Sequence, residues 1–248
     1  MKRGGLYILL YVAILVFMVV LGHFIPGDRE TVNAIAIIAA NLLFSLIVFV
    51  RKPFPRTLFH FCGFSWMVLL LCFLVSVFIA IILGIYFIDE IPPKGESGHL
   101  STSFLSFLEA GIITPISEEI LLRGVFLFSL LSSPFFQKRK WGAILISAVV
   151  FGLLHFGVYQ SLLFLCYGFI WGWLSVSTNS LAPSTIMHVT NNAIVLLIAK
   201  YSENNSGLLF LIHSSGIFLR VLLIVFTALL LFLIVRLIGR EERSASCY

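Results

Sequence analysis

The chain has 248 residues, of which 60% are hydrophobic and 11% charged, with a net charge of +5 and a mean hydropathy of +1.10. Because soluble domains carry about a quarter charged residues, this composition excludes an ordinary soluble protein and indicates a membrane protein. The basic residues form short clusters between apolar runs rather than a basic helix face with interleaved aromatics, which excludes nucleic acid as a partner.

A membrane-spanning helix needs about 20 apolar residues, and the sequence contains eight candidate segments. In chain order they cover residues 6–25, 32–50, 63–88, 104–132, 141–156, 158–178, 182–199 and 208–238. The first segment is too long for a signal peptide and is followed by no small-residue cleavage site, so we expect it to be retained. The expected fold class is therefore all-α, a polytopic membrane protein of about eight transmembrane helices in a single domain over residues 1–248.

Lysine and arginine in short loops predict the orientation of the chain, because cytoplasmic loops are rich in these residues. With the N-terminus inside, 11 of the 16 basic residues lie on the inner face. They are Lys2, Arg3, Arg51, Lys52, Arg56, Lys138, Arg139, Lys140, Arg236, Arg240 and Arg243. The longest outer loop is Asp89–Ser103. Both termini are then cytoplasmic, and the compact length without eukaryotic targeting signals suggests a bacterial or archaeal plasma membrane.

Few ionisable residues lie within the predicted spans, where a charge costs about 2.5–3.5 kcal/mol and usually faces a protein interior with a functional role. They are Glu109, Glu118, Glu119, Arg123, His155, His188 and, near the start of the last span, Arg220. Most of these residues fall into three patterned sets, one in each of three apolar segments. We expect a buried polar site to be built from these sets.

The first set is Glu118-Glu119-x-x-x-Arg123 in the fourth span. On a helix, Glu119 and Arg123 are i, i+4 neighbours with the glutamate N-terminal, which is the favourable order for an ion pair. Glu118 lies about 100° around the helix, so the arginine can neutralise one carboxylate while the other points elsewhere. If a helix begins at Thr114 and Pro115, both glutamates lie in its first turns. A purely structural ion pair is the alternative interpretation.

The second set is Phe151-x-x-x-His155 at the end of a short apolar helix, and the third is His188-x-x-x-Asn192, whose side chains share one helix face. A lone intramembrane histidine is usually hydrogen-bonded structure. Two histidines with a carboxylate and an amide on neighbouring helices would form a polar cluster suited to acid–base chemistry. The predicted spans put Glu118 and His155 near the outer side and His188 near the inner side. These three side chains can therefore come together only if the seventh span begins earlier, or if residues 158–182 do not cross the bilayer as one simple span.

Convergence of Glu118, His155, His188 and Asn192 would allow hydrolysis of an amide without a covalent intermediate. The carboxylate and an imidazole can deprotonate a water, and the other imidazole with the carboxamide can stabilise an oxyanion. The sequence has no G-x-S-x-G and no H-E-x-x-H, so it predicts neither a serine hydrolase nor the common zinc-protease arrangement. A metal is the alternative, with Glu118, His155 and His188 as three zinc ligands and water as the fourth.

The three motifs E-E-x-x-x-R, F-x-x-x-H and H-x-x-x-N occur in this order, each in its own apolar segment. Together they resemble the CPBP (Abi) family of CaaX proteases and bacteriocin-processing enzymes, which includes the type II CaaX prenyl endopeptidases. The resemblance covers about residues 114–192, a catalytic-motif core, and suggests a prokaryotic member. It implies an eight-helix intramembrane endopeptidase of the glutamate type.

The resemblance also implies a role for each motif residue. The catalytic residues would be Glu118, His155, His188 and Asn192, and the supporting residues would be Glu119, Arg123 and Phe151. Glu118 would activate water together with His155, while the other two catalytic residues would form the oxyanion side. No cofactor is implied, with zinc as the alternative.

The expected partners are the lipid bilayer and a peptide or membrane-tethered protein substrate. Two other functions are compatible with the same residues. One is a non-catalytic membrane immunity or scaffold protein, in which the polar cluster only holds helices together. The other is a proton-coupled transporter whose Glu and His side chains relay protons. The substitution Glu118→Gln separates the peptidase from both, because only a peptidase would lose cleavage.

Overall fold

A computed structural model describes residues 2–53, 65–87, 103–155, 158–204 and 216–245, which are helical apart from short connections. No strand occurs among these residues, so the all-α fold class predicted from the sequence is confirmed. The outer loop predicted at Asp89–Ser103 lies outside the described residues except for Ser103. The first part of the eighth predicted span, residues 208–215, also lies outside them.

Eleven α-helices and two π-helical segments occur in the described part of the chain. The α-helices are α1 (Lys2–Gly22), α2 (Arg29–Arg51), α3 (Trp66–Phe87), α4 (Phe104–Leu108), α5 (Thr114–Glu119), α6 (Phe128–Leu131), α7 (Pro134–Gln137), α8 (Lys140–Leu153), α9 (Val158–Thr178), α10 (Ala182–Asn204) and α11 (Ile217–Ala245). The first π segment (Glu109–Ile113) connects α4 to α5, and the second (Ile120–Leu127) connects α5 to α6.

Within the described ranges, five helices are long and apolar enough to cross a membrane. These candidate spans are Gly4–Gly22, Arg29–Arg51, Ser161–Thr178, Ala182–Lys200 and Val221–Gly239. Two further apolar helices, Trp66–Ile82 and Lys140–Leu153, are shorter. A helix suits the bilayer because it satisfies its backbone hydrogen bonds internally. The chain is therefore an integral membrane protein, while the count of eight spans stays a prediction.

The chain divides into two compact units, of which the first comprises Met1–Gly63 and Ile113–Thr185. Here α1 and α2 form an αα-hairpin, and the Tyr11 ring lies edge-on to Phe44 with centroids 5.0 Å apart. Helices α8 and α9 pack together, and α8 also contacts the second π segment. A buried apolar cluster joins the π segment to α7 and α8; it consists of Leu127, Leu130, Phe136, Ala143 and Ile144.

The second unit comprises Phe64–Ile112 and Ile186–Tyr248. Helix α3 packs against α11, with the rings of Phe78 and Phe226 edge-to-face at 5.0 Å between centroids. The buried hydroxyl of Ser76 donates a hydrogen bond to the carbonyl of Met187 at 2.6 Å, which joins α3 to α10. The prediction of a single domain for residues 1–248 stays a prediction.

Local residue chemistry determines both ends of α2. The carboxylate of Asp28 accepts a hydrogen bond from the Thr31 backbone N–H at 2.9 Å, as an N-cap residue does. This bond lowers the pKa of the Asp28 carboxyl. At the other end Lys52 adopts the left-handed conformation with φ of 48° and donates its N–H to the Val48 carbonyl at 2.8 Å. Pro53 disfavours the α conformation in the residue before it, so the helix stops there.

Helix α5 begins at Thr114, as the sequence allowed, but it continues directly from the first π segment instead of starting at a capped end. Ile113 already has helical dihedrals of −72° and −46°, and Thr114 forms no cap. Its Oγ1 instead accepts a hydrogen bond from Asn41 Nδ2 at 3.0 Å. Proline inside a helix clashes with the carbonyl four residues earlier, and here a wider π segment directly precedes α5 and Pro115. Such π segments occur frequently at functional sites.

Candidate active site

Glu119 and Arg123 form an ion pair that is fully buried on both sides. Nη1 of Arg123 lies 2.9 Å from Oε1 of Glu119, and both side chains are 0% exposed. The i, i+4 pairing predicted from the sequence is therefore present, although it begins at the last residue of α5 and ends in the second π segment. A buried charge without a partner costs several kcal/mol. The ion pair avoids this cost, because each charge neutralises the other.

Three further groups of the first unit surround the Arg123 guanidinium. Its Nη2 donates a hydrogen bond to the Gly168 carbonyl of α9 at 3.3 Å. Its central carbon lies 4.6 Å from the Phe151 ring centroid and 5.5 Å from that of Trp171. Arginine over an aromatic face is an attractive geometry that gains strength when desolvated. Arg123 thus joins the E-E-x-x-x-R segment to α8 and α9.

Glycine at position 168 allows this close approach of α9 to α8. A Cβ there would lie 3.0 Å from the Cα of Ala148 and 3.2 Å from Cδ1 of Phe151. Both distances are shorter than ordinary van der Waals contact. Because Gly168 has no side chain, its carbonyl can accept the hydrogen bond from Arg123 and α9 can pack closely against the Phe151 ring.

Glu118 and Glu119 differ in burial although they are adjacent. Glu119 is buried, whereas Glu118 is half-buried. The Arg123 guanidinium interacts electrostatically with both carboxylates, but its short ion pair is with Glu119. A carboxylate that activates water must be reachable by water, so Glu118 is better suited to that task than its neighbour.

His155 lies just beyond α8, and its imidazole is fixed on two sides. Its Nδ1 donates a hydrogen bond to the Phe151 carbonyl at 2.9 Å, because a carbonyl can only accept. The ring stacks on Phe164 of α9 with centroids 3.8 Å apart and an interplanar angle of 20°. In the neutral imidazole this tautomer leaves Nε2 as an acceptor. The Ser161 hydroxyl also donates to the His155 carbonyl at 2.8 Å.

His188 and Asn192 lie on α10 in the second unit. His188 is buried, and Asn192 is half-buried. Nδ2 of Asn192 donates a hydrogen bond to the Ala110 carbonyl of the first π segment at 3.2 Å. Beside it, a Cβ on Gly111 would lie 3.4 Å from Leu196 Cδ1, so this π segment approaches α10 closely. The amide of Asn192 is thus held in a defined position on its helix.

The structure groups the sequence-predicted residues by unit. It brings Arg123 into contact with Glu119 and Phe151, and Phe151 into contact with His155. His188 and Asn192 belong to the other unit, and their convergence with Glu118 stays a prediction. Sequence reasoning missed the contributions of Phe164, Gly168 and Trp171. Their spacing along α9 (i, i+4, i+7) is the signal that could have indicated one helix face.

No three or more His, Cys, Asp and Glu side chains are grouped as metal ligands in the described part of the chain. The zinc alternative with Glu118, His155 and His188 stays a prediction, because His188 belongs to the other unit. The first unit contributes carboxylate, imidazole and guanidinium groups, and the second contributes an imidazole and a carboxamide. Carboxylate and imidazole can exchange protons, and imidazole and carboxamide N–H groups can stabilise negative charge.

A comparison with protein families places these observations in context. Residues 100–194 match the model of the Rce1-like type II CAAX prenyl endopeptidases. No curated protein and no solved structure matches the chain. The matched segment contains all three motifs, from Glu118 to Asn192. Through this segment, less than half of the chain, the protein is similar to the CPBP/CAAX protease family, and the match supports a membrane-embedded peptidase.

Proposed function

We propose that the protein is an intramembrane endopeptidase that hydrolyses a peptide bond in a membrane-associated peptide or protein. The observation that carries this proposal is the hydrogen bond from His155 Nδ1 to the Phe151 carbonyl at 2.9 Å. It fixes the tautomer whose Nε2 can accept a proton. The family match over residues 100–194 supports the same class of reaction.

In the proposed reaction, Glu118 and Nε2 of His155 hold a water molecule and take one of its protons. The water oxygen then attacks the carbonyl carbon of the scissile peptide bond and forms a tetrahedral oxyanion. General-base assistance of this kind contributes about 10²–10⁴-fold. Phe164, stacked on His155, keeps the imidazole from rotating during the transfer.

The oxyanion would accept hydrogen bonds from His188 and from the amide of Asn192. One such donor is worth about 2.7–4 kcal/mol in known hydrolases. When the intermediate collapses, the C–N bond breaks and the protonated base gives its proton to the leaving amine nitrogen. Both fragments then leave as a carboxylate and an amine, and the base regains its starting state. No covalent enzyme intermediate is needed.

Glu119 and Arg123 would act as positioning residues in this scheme. Because Arg123 forms its ion pair with Glu119 at 2.9 Å, the Glu118 carboxylate would not be its main partner. The contacts of Arg123 with Phe151 and Gly168 would hold α8, and with it His155, at a fixed distance from α5. The substrate would reach the site from the bilayer, with both termini of the enzyme in the cytoplasm.

The test compares Glu118→Gln with Glu119→Gln in purified full-length protein reconstituted into liposomes. The probes are a quenched fluorescent peptide with a prenylated CAAX-type end and the same peptide without the prenyl group. We expect Glu118→Gln to lower kcat by about 10²–10⁴-fold with normal folded yield. Glu119→Gln should lower the folded yield, because Arg123 loses its charged partner.

Full cleavage by Glu118→Gln would contradict the catalytic assignment. Absence of cleavage of both probes by the wild-type protein, with proton-coupled uptake in the same liposomes, would instead support a transporter. A prenyl requirement shows as cleavage of the first probe alone. Gel filtration and circular dichroism of each variant separate loss of chemistry from loss of fold.

A further inference from the structure

An open cavity of about 890 Å³ lies in the first unit between the start of α1 and the end of α2. This volume is in the range of small-molecule sites, about 300–1,000 Å³. Most of its lining residues are apolar, among them Leu6, Tyr7, Leu10 and Ile47, and two are basic, Arg51 and Lys52, here called the basic rim. No residue of the three catalytic motifs lines it.

The basic rim has no acidic counterpart nearby in the sequence. No Asp or Glu occurs in residues 1–27 or 31–88. Asp28 and Glu30 lie at the opposite end of the α1–α2 hairpin, where α2 begins. Among the described residues, neither Arg51 nor Lys52 takes part in a salt bridge, since the pair found is Glu119 with Arg123. The rim therefore carries positive charge that a ligand can neutralise.

Basic residues at the inner end of a span also occur as simple orientation signals. If Arg51 and Lys52 were only orientation signals, no cavity would be expected beside them. Here Arg51 is the last residue of α2, and Lys52 turns into the left-handed conformation with φ of 48°. Both side chains line a recess whose walls are leucine and isoleucine. An apolar groove lined by two cations is chemically complementary to an amphiphile with an anionic head.

We propose that this cavity binds one anionic phospholipid. The phosphate lies between Arg51 and Lys52, and one acyl chain lies along Leu6, Leu10 and Ile47. Basic pockets between transmembrane helices on the cytoplasmic side are suited to anionic headgroups. The site is separate from the proposed peptidase reaction and does not depend on it.

The first test measures lipid retention by native mass spectrometry on purified full-length protein in detergent. Phosphatidylglycerol and phosphatidylcholine are added as separate probes. The wild type retains phosphatidylglycerol more strongly, and the double variant Arg51→Gln with Lys52→Gln binds it about 25-fold more weakly, at about fivefold per basic residue. The control is Lys138→Gln with Lys140→Gln, which removes the same charge from exposed residues beside α7 and α8. This control binds like the wild type.

A second variant tests the acyl-chain part of the site while both charges remain. Leu46 lines the cavity and is 60% exposed, so the substitution Leu46→Trp fills the groove without overpacking a core. We expect it to reduce phosphatidylglycerol retention at least fivefold. The proposal is overturned by equal retention of both lipids, by equal losses in the cavity and control double variants, or by wild-type retention in Leu46→Trp. Circular dichroism of every variant confirms its helical fold.

Discussion

The guanidinium carbon of Arg123 lies 4.6 Å from the ring centroid of Phe151, which joins two of the sequence motifs inside the first unit. Phe151 in turn provides the carbonyl that accepts the His155 Nδ1–H. A single aromatic residue therefore contacts the arginine through its ring and the histidine through its backbone. A substitution of Arg123 should therefore change the position of His155 through Phe151.

The first prediction concerns Arg123→Ala. This change leaves the fully buried Glu119 carboxylate without its ion-pair partner, and breaking one side of a buried pair costs about 3–5 kcal/mol. It also removes the cation from the faces of Phe151 and Trp171. We expect a clearly lower thermal unfolding midpoint in detergent, measured by circular dichroism.

Arg139→Ala is the matched control, because Arg139 is exposed and its guanidinium lies over the ring of the exposed Phe135. It should unfold within about 1 kcal/mol of the wild type. Replacing both partners by apolar residues, Glu119→Leu with Arg123→Met, should recover part of the loss, since neither charge then stays buried. Equal midpoints for Arg123→Ala and the wild type would contradict the role of the pair.

The positions of several long helices could be predicted from hydropathy. The predicted span 158–178 coincides with α9 (Val158–Thr178), and the predicted start of the seventh span at residue 182 coincides with α10. Long apolar runs are a strong signal because a helix is the structure that satisfies its own backbone in lipid. The pairing of Glu119 with Arg123 was predictable for a similar reason, since it depends only on helix periodicity.

The π segments and the position of Gly168 could not be predicted in this way. Hydropathy does not distinguish a π turn from an α turn, so Pro115 indicated the start of α5 but not the π segment that directly precedes it. The importance of Gly168 depends on Ala148 and Phe151, which come from another helix. Contacts of this kind are set by tertiary packing, and the sequence around residue 168 carries only a small residue among aromatics.

The second prediction is that Gly168→Ala lowers both stability and activity. The added Cβ would lie 3.0 Å from the backbone Cα of Ala148 and 3.2 Å from the Phe151 ring. Overpacking costs about 1–3 kcal/mol, which exceeds the roughly 0.5–1 kcal/mol that alanine gains over glycine in a helix. The unfolding midpoint and kcat are the measurements.

Gly5→Ala provides the comparison for this prediction, because none of the described residues lies within 4 Å of a Cβ at that position of α1. It should keep or slightly raise the unfolding midpoint. If Gly168→Ala behaves like Gly5→Ala in both measurements, the close packing of α9 on α8 does not constrain the site.

The third prediction tests the stacking of His155 on Phe164. Phe164→Leu removes a ring 3.8 Å from the imidazole but leaves the hydrogen bond from Nδ1 to Phe151 intact. An aromatic pair is worth about 0.5–1.5 kcal/mol beyond its buried area. We therefore expect kcat to fall by about two- to tenfold with KM little changed.

Phe169→Leu is the control, since Phe169 lies on the same helix and stacks on Trp141 with centroids 5.8 Å apart. It makes the same chemical change away from His155, so its kcat should stay near that of the wild type. Similar falls in kcat for both variants would show that α9 as a whole, rather than the His155 contact, is responsible.

The fourth prediction concerns Asn41, a fully buried residue of α2 that no motif includes. Its Oδ1 accepts a hydrogen bond from the Tyr11 hydroxyl, and its Nδ2 donates to the Ile37 carbonyl and to Thr114 Oγ1, each at 3.0 Å. Interhelical hydrogen bonds in membranes average about 0.6 kcal/mol and reach about 1.7. Asn41→Ala should therefore lower stability by about 1–3 kcal/mol.

This loss should also lower peptidase activity, because Thr114 begins α5, the helix that carries Glu118. Asn33→Ala, a half-buried asparagine on the same helix, is the control and should change the unfolding midpoint little. A double-mutant cycle with Tyr11→Phe measures the coupling directly. The double variant should lose less stability than the sum of the two single losses, because both substitutions remove the same hydrogen bond. Strict additivity would show that Asn41 stabilises the fold through groups other than Tyr11. An unchanged kcat in Asn41→Ala would show that the Asn41 hydrogen bonds do not help to position Glu118.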